Sequence, residues 1–145
     1  MEKIIVYTDG GSRGNPGPGG IGVVVSNEKG QVIKKYSHSL GRVTNNQAEY
    51  QAVIFALKKI KLLFGKKKTK DIEVLIKTDS QLLARQLNGE YKILDEKIQP
   101  LFLEVWNLKF DFRKLEFKNI PREENTEADK LVNQAFDEKN SQKLI

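Results

Sequence analysis

The chain has 145 residues, no Cys and a single His, with 25 Lys and Arg against 19 Asp and Glu for a net charge of +6 and a pI near 9.4. A domain of that length buries roughly two-thirds of its unfolded surface without disulfides or a structural metal. The missing Cys excludes thiolate zinc sites, iron–sulfur clusters and Cys nucleophiles, and a lone His38 argues against His-based zinc sites and Ser-His-Asp triads. Hard oxygen ligands remain, and the basic balance suits a polyanionic partner such as nucleic acid as well as it suits ordinary solvated lysines.

The N-terminal MEKIIVYTDGG carries a five-residue apolar run that ends in an acid, too short for a secretory core or a membrane span, so a cytoplasmic chain is expected. Residues 3–8, KIIVYT, are β-branched and aromatic and predict a strand running into a turn at Asp9-Gly10-Gly11. The following GGSRGNPGPGG is too rich in Gly and Pro for a helix. Residues 21–27 and 31–39 flank the short connection Glu28-Lys29-Gly30, which predicts an antiparallel meander of three strands. From 45 to 64 the spacing becomes helical, with Ala48, Ala52, Val53, Ala56, Leu57, Ile60 and Phe64 on one stripe after a Thr44-Asn45-Asn46 cap signal. Gly65 and a basic loop at 66–70 end that helix. A strand at 72–78, a short helix at 80–88, a helix near 95–109, a strand near 114–120 and a final helix from about Thr126 complete the chain. The order βββαβααβα implies an α/β fold, with a five-stranded mixed sheet carrying helices on both faces. A single domain is expected over 1–137, followed by a short polar tail at 138–145.

Asp9 and Asp79 each end a predominantly apolar strand, at the rim where sites gather in mixed α/β sheets, although a strand-terminal Asp also serves as a turn former or helix N-cap. Glu49 precedes Val53, Ala56 and Ile60 at i+4, i+7 and i+11, so a carboxylate sits on the apolar stripe near the helix start. Such a Glu needs a cation, or else snorkels to water or interacts with the helix N-terminus. Asp129 closes Thr126-Glu127-Ala128-Asp129, which has capping-box form and locally favours a cap, though one Asp can cap and ligate. Brought to one rim, these four acids can hold two hard cations in the clamp suited to in-line phosphoryl displacement. The string GPGGIG at 17–22 matches a dinucleotide-binding fingerprint by letter only, because it runs into Val23-Val24-Val25 instead of opening a helix.

Four strings, YTDGGSRGNPGPGG at 7–20, TNNQAEY at 44–50, TDSQ at 78–81 and NTEAD at 125–129, resemble the sequence blocks of type 1 ribonuclease H, in order and over residues 3 to about 137. The resemblance implies an RNase H-like fold and hydrolysis of the RNA strand of RNA·DNA hybrids, leaving 3′-hydroxyl and 5′-phosphate ends. It implies that Asp9, Glu49, Asp79 and Asp129 are catalytic and bind two Mg²⁺ ions, or Mn²⁺, with no small-molecule cofactor. Gly10, Asn15, Asn45 and Gln81 match residues that approach the RNA minor groove and its 2′-hydroxyls, with Asn46 beside them in the second block; short amides and close backbone approach suit that task. Arg42 and Thr44 match a pocket that grips a DNA phosphate, while a surface Arg and a helix-capping Thr are the local alternatives.

Two departures from the family stand out. Where many members carry a His in the loop before the last acid, this chain has Asn119, and nothing in the sequence chooses among Arg122, Glu123 and Glu124 as its substitute. The segment from Asp79 to Asp129 is too short for the basic helix of many bacterial members, and the run Lys66-Lys67-Lys68 with Lys70 lies elsewhere. No separate hybrid-binding module is expected before Met1, and a monomer is expected. The rival readings are a nuclease of the same fold acting also on double-stranded RNA, and a hybrid-binding module with weak or lost catalysis, which four intact acids oppose. A nucleotide-binding or scaffolding domain is disfavoured because no valid phosphate loop is present.

Overall fold

The computed structural model describes the chain from Glu2 to Lys143, with side chains described as far as Asp137. Strands β1 (Glu2–Ser12), β2 (Gly17–Asn27) and β3 (Val32–Val43) lead into helix α1 (Asn45–Phe64) and a one-turn helix α2 (Lys66–Thr69). Strand β4 (Ile72–Thr78), helices α3 (Gln81–Leu87) and α4 (Gln99–Lys109), strand β5 (Lys114–Asn119) and helix α5 (Thr126–Lys143) follow, with a 3₁₀ turn at Arg122–Glu124 before α5. The sheet order is β3-β2-β1-β4-β5, antiparallel across the meander and parallel from β1 to β4 to β5. This is the mixed sheet expected from the element order. Among the described residues, no helix is long and apolar enough to cross a membrane.

The alternation along β1 sets the layers. Ile4, Val6, Thr8 and Gly10 are buried on the face that receives α1, while Ile5, Tyr7 and Asp9 are half-buried on the face that receives α5. Lying between the two helices, β2 is buried at nearly every position. Helix α1 is more deeply enclosed than its stripe predicts, with Tyr50 and Ile54 buried as well, and both α4 and α3 pack against it. The Tyr50 hydroxyl donates to Gln86 Oε1 at 2.9 Å in that interior, which ties α1 to α3. Burying an aliphatic side chain such as Leu57 or Ile60 here contributes about 1.5–3 kcal/mol, so this layer anchors the helix that carries Glu49.

Three features depart from the sequence expectations. The glycine-rich segment is mostly strand: β1 continues to Ser12 and β2 begins at Gly17, leaving only Arg13–Pro16 as the bend. Helix packing uses these glycines, since a Cβ on Gly10 would run into the Ala48 carbonyl of α1 and one on Gly20 would crowd the Val132 carbonyl of α5. The basic run is also not a loop, because Thr69, buried at 1% exposure, donates its hydroxyl to the Gly65 carbonyl at 2.7 Å and folds Lys66–Lys68 into α2. The polar tail expected at 138–145 lies outside the described side chains, although the backbone of α5 continues to Lys143.

Candidate active site

Parallel pairing of Thr8 with Thr78 sets the following residues side by side, Asp79 just past the end of β4 and Asp9 inside β1, which pairing with β2 carries on to Ser12, so Asp9 does not end its strand as the sequence predicts. Asp9 shares its face with Gly22, its partner across β2, and Gly22 lies against the first turn of α5, which carries Asp129. Glu49 arrives from the opposite layer. It does so because Gly10 has no side chain: a Cβ there would overlap the Ala48 carbonyl and the Glu49 amide, so only glycine lets the start of α1 lie against the end of β1. Four acids from two neighbouring strands and two helix starts thus reach one rim.

Their electrostatics show the convergence. The Asp9 carboxyl is pushed up to about 7, chiefly by burial and then by the charges of Asp79 and Asp129, with a smaller push from Glu49; the Gly10 amide, donating to Asp9 Oδ1 at 3.0 Å, works in the other direction. Glu49 is likewise raised to about 7, first by burial and then by Asp79, against a lowering hydrogen bond from the Ser80 hydroxyl. Among the described residues, no Lys or Arg forms an ion pair with any of the four. Among those residues, no three of these acids stand close enough together to form a ready-made metal site. An all-oxygen set, partly buried, self-repelling and lacking a protein cation, has the donor chemistry that hard divalent ions require. All four offer carboxylate oxygens, and Asp9 feels the charge of each of the other three.

The local alternatives for two of these acids fall away in the structure. Ser80, not Asp79, caps α3, its hydroxyl accepting from the Leu83 amide at 3.1 Å. Helix α5 starts at Thr126, which makes Asn125 the preceding residue and puts Asp129 one position beyond the capping-box slot. The exposed Asp129 side chain is thereby left for the rim.

The amides sit next to the acids. Asn45 Oδ1 accepts from the Ser12 amide at 2.9 Å and from its hydroxyl at 3.1 Å, while Asn15 Oδ1 accepts from the Asn45 amide at 3.0 Å. The two side chains clasp the glycine-rich bend to the start of α1, and with both oxygens engaged their NH₂ groups are the ones to offer a ligand. Thr44 is the N-cap of α1 in a full capping box with Gln47, so its hydroxyl already accepts from the Gln47 amide. Arg42 is exposed near the end of β3, opposite Pro18. Asn46 is half-buried, with Oδ1 buried and unpartnered among the described residues, and Gln81 is exposed at the first position of α3, beside Ser80. Asn119 ends β5 with its Nδ2 donating to the Thr78 carbonyl at 3.2 Å. His38, two strands from β1, stacks on Phe55 at 5.4 Å and takes no part in the rim.

Two residues that touch the acids had no assigned role in the sequence reading, namely Ser80 on Glu49 and Asn125, whose Nδ2 donates to Asp79 Oδ2 at 3.1 Å. Both lie in the quoted blocks, Ser80 in TDSQ next to Asp79 and Asn125 at the start of NTEAD one helical turn before Asp129, and that placement is their sequence signal.

Residues 7–135 match the family model described as reverse transcriptase-like. LC11-RNase H1, solved in complex with an RNA/DNA hybrid, is 46% identical and superimposes with a TM-score of 0.88, covering 93% of this chain and 97% of that one. Ribonuclease HI of Halobacterium salinarum is 37% identical over 94% of this chain and 65% of its own length. A bifunctional protein of Mycobacterium tuberculosis is 35% identical over 93% of this chain, which spans 36% of that relative. Fold and rim together define an RNase H-like domain. The chain belongs to the type 1 ribonuclease H family.

Proposed function

We propose that this chain is a metal-dependent endonuclease that hydrolyses the RNA strand of RNA·DNA hybrids and leaves 3′-hydroxyl and 5′-phosphate ends. The observation that carries this reading is the convergence of Asp9, Glu49, Asp79 and Asp129 at one rim, where burial and mutual repulsion raise two of the acids to about 7. The hybrid in complex with LC11-RNase H1 supports the choice of substrate. Asp9, Glu49, Asp79 and Asp129 would hold two Mg²⁺ or Mn²⁺ ions, which would supply Lewis-acid activation of water for in-line attack on phosphorus and counter-charge for the leaving 3′-oxygen. The protein's own part is positioning. The NH₂ groups of Asn15 and Asn45 donate to 2′-hydroxyls of the RNA strand, Gln81 and Asn46 extend that contact, and Gly10 lets the backbone come close. Arg42, beside Thr44, meets a phosphate of the DNA strand. We place the activity in a monomer, because acids, clasp and phosphate contact all come from one chain.

Labelled hybrid, duplex RNA and duplex DNA, each with and without Mg²⁺ or Mn²⁺, test the reading. Metal-dependent cleavage confined to the RNA strand of the hybrid is expected. Binding without cleavage would make the chain a hybrid-binding module, and cleavage of duplex RNA at a similar rate would overturn the assigned selectivity.

A further inference from the structure

We infer that Asn125 is a positioning residue that holds the Asp79 carboxylate and locks it to the elements carrying Asp9 and Asp129. The inference rests on the metal-site reading above. The Asn125 side chain is 1% exposed, and its NH₂ group spends both donors, one on the Thr8 carbonyl at 2.9 Å and one on Asp79 Oδ2 at 3.1 Å. Thr8 immediately precedes Asp9. The Asn125 carbonyl accepts from the Asp129 amide at 3.1 Å, starting the turn of α5 on which that acid rides. One residue therefore bonds Asp79 directly, the backbone beside Asp9 and the backbone of Asp129.

Chemistry fixes which way the amide points. Turned over, Asn125 would set an oxygen against a carbonyl and a carboxylate, three acceptors with no proton among them. In the orientation found, Oδ1 is buried without a hydrogen-bond partner among the described residues. A stranded acceptor is unfavourable in an interior, and here it accompanies the delivery of two donors to Thr8 and Asp79. A neutral donor is also what a metal ligand needs. Lys or Arg would neutralise Asp79 and compete with a cation, whereas an amide aligns one carboxylate oxygen and leaves the negative charge in place.

Isothermal calorimetry with Mg²⁺ alone, on the folded Asn125→Ala chain, is expected to show affinity weakened by about 10- to 100-fold, the range typical of lost partners behind metal ligands. In the cleavage assay, raising Mg²⁺ should restore much of the Asn125→Ala rate while KM for hybrid stays near the unmodified value. Asn125→Asp should be worse, because it faces Asp79 with a second carboxylate. A cycle of Asn125→Ala and Asp79→Asn, read as metal-free melting temperature, should be non-additive. Asn125→Ser keeps one donor and serves the same comparison if Asn125→Ala does not fold. Mg²⁺ affinity within twofold of the unmodified chain, or an additive metal-free cycle, would overturn the inference. Absence of Mg²⁺ binding by the unmodified chain would instead sink the metal-site reading, leaving the metal-free cycle to report on Asn125 and Asp79.

Discussion

The acid rim and the amide clasp occupy the same end of the sheet and share the exit of β1 and the start of α1, yet their electrostatic conditions are opposite. In the clasp, the oxygens of Asn15 and Asn45 are all engaged, so the bend at Arg13–Pro16 is held in place before any ligand arrives. At the rim, Asp9 and Glu49 are partly buried, repel their neighbours and lack a protein cation among the described residues. Neutral recognition is preorganised by the fold, whereas the charged centre is left incomplete and is relieved only by positive charge from outside.

Neutralising the rim breaks this contrast most severely. Asp9→Asn, Asp79→Asn and Glu49→Gln are each expected to reduce hybrid cleavage to background in a folded protein, since each removes an anionic ligand from a site built for two dications. Clear retained activity in a purified, folded variant would defeat the assignment. The metal-free Asp9→Asn chain should also melt higher than the unmodified one at pH 8, because the cost of burying the Asp9 charge, and then its repulsion by Asp79 and Asp129, is gone.

A pH and metal titration of the melting temperature sharpens the comparison next. Asp9 and Glu49 rise from ordinary values of 3.8 and 4.5 to about 7 on folding. Between about pH 4 and pH 7 the folded chain therefore holds more protons than the unfolded one, and these two groups make stability fall as pH rises through that window. Below it both states are protonated and the penalty is absent; above it the penalty is complete. Millimolar Mg²⁺ should raise the melting temperature most at pH 8 and progressively less as pH drops below 7, where protons compete for the same oxygens. A metal-independent melting curve would count against clustering of the acids.

The clasp predicts a smaller and differently shaped effect. Asn45→Ala should cost roughly 1–3 kcal/mol in hybrid cleavage, the scale of one or two hydrogen bonds, and leave the salt dependence of binding nearly unchanged. It should also lower the melting temperature, since the bonds to Ser12 that pin the bend are lost, and so stability must be measured beside binding. Arg42→Ala should have the smallest effect on the chemistry yet reduce the salt slope of hybrid binding by about 0.7–0.9, the signature of one lost phosphate contact. An unchanged slope in Arg42→Ala, with a flattened one in Asn45→Ala, would reverse the assignment of the two groups.

The sequence by itself determined the order of the main strands and helices and singled out the four acids, because the periodicities of 2 and 3.6 and the turn residues are local properties, whereas which layer each helix enters and the run of β1 past Asp9 are not. It also carried the family resemblance, since the four blocks are contiguous strings. Tertiary structure alone decided the rest. Whether Gly20 is a turn residue or a place where a helix presses on a strand depends on α5, more than a hundred residues away. The capping alternative at Asp129 turned on a one-residue shift in where α5 begins, a boundary that local propensity does not resolve. The basic run became a helical turn through the burial of Thr69. Asn125 shows the limit most clearly: its importance lies in which acceptors its two donors meet, and Thr8 and Asp79, 117 and 46 positions away, come within reach only when β1, β4 and α5 are assembled.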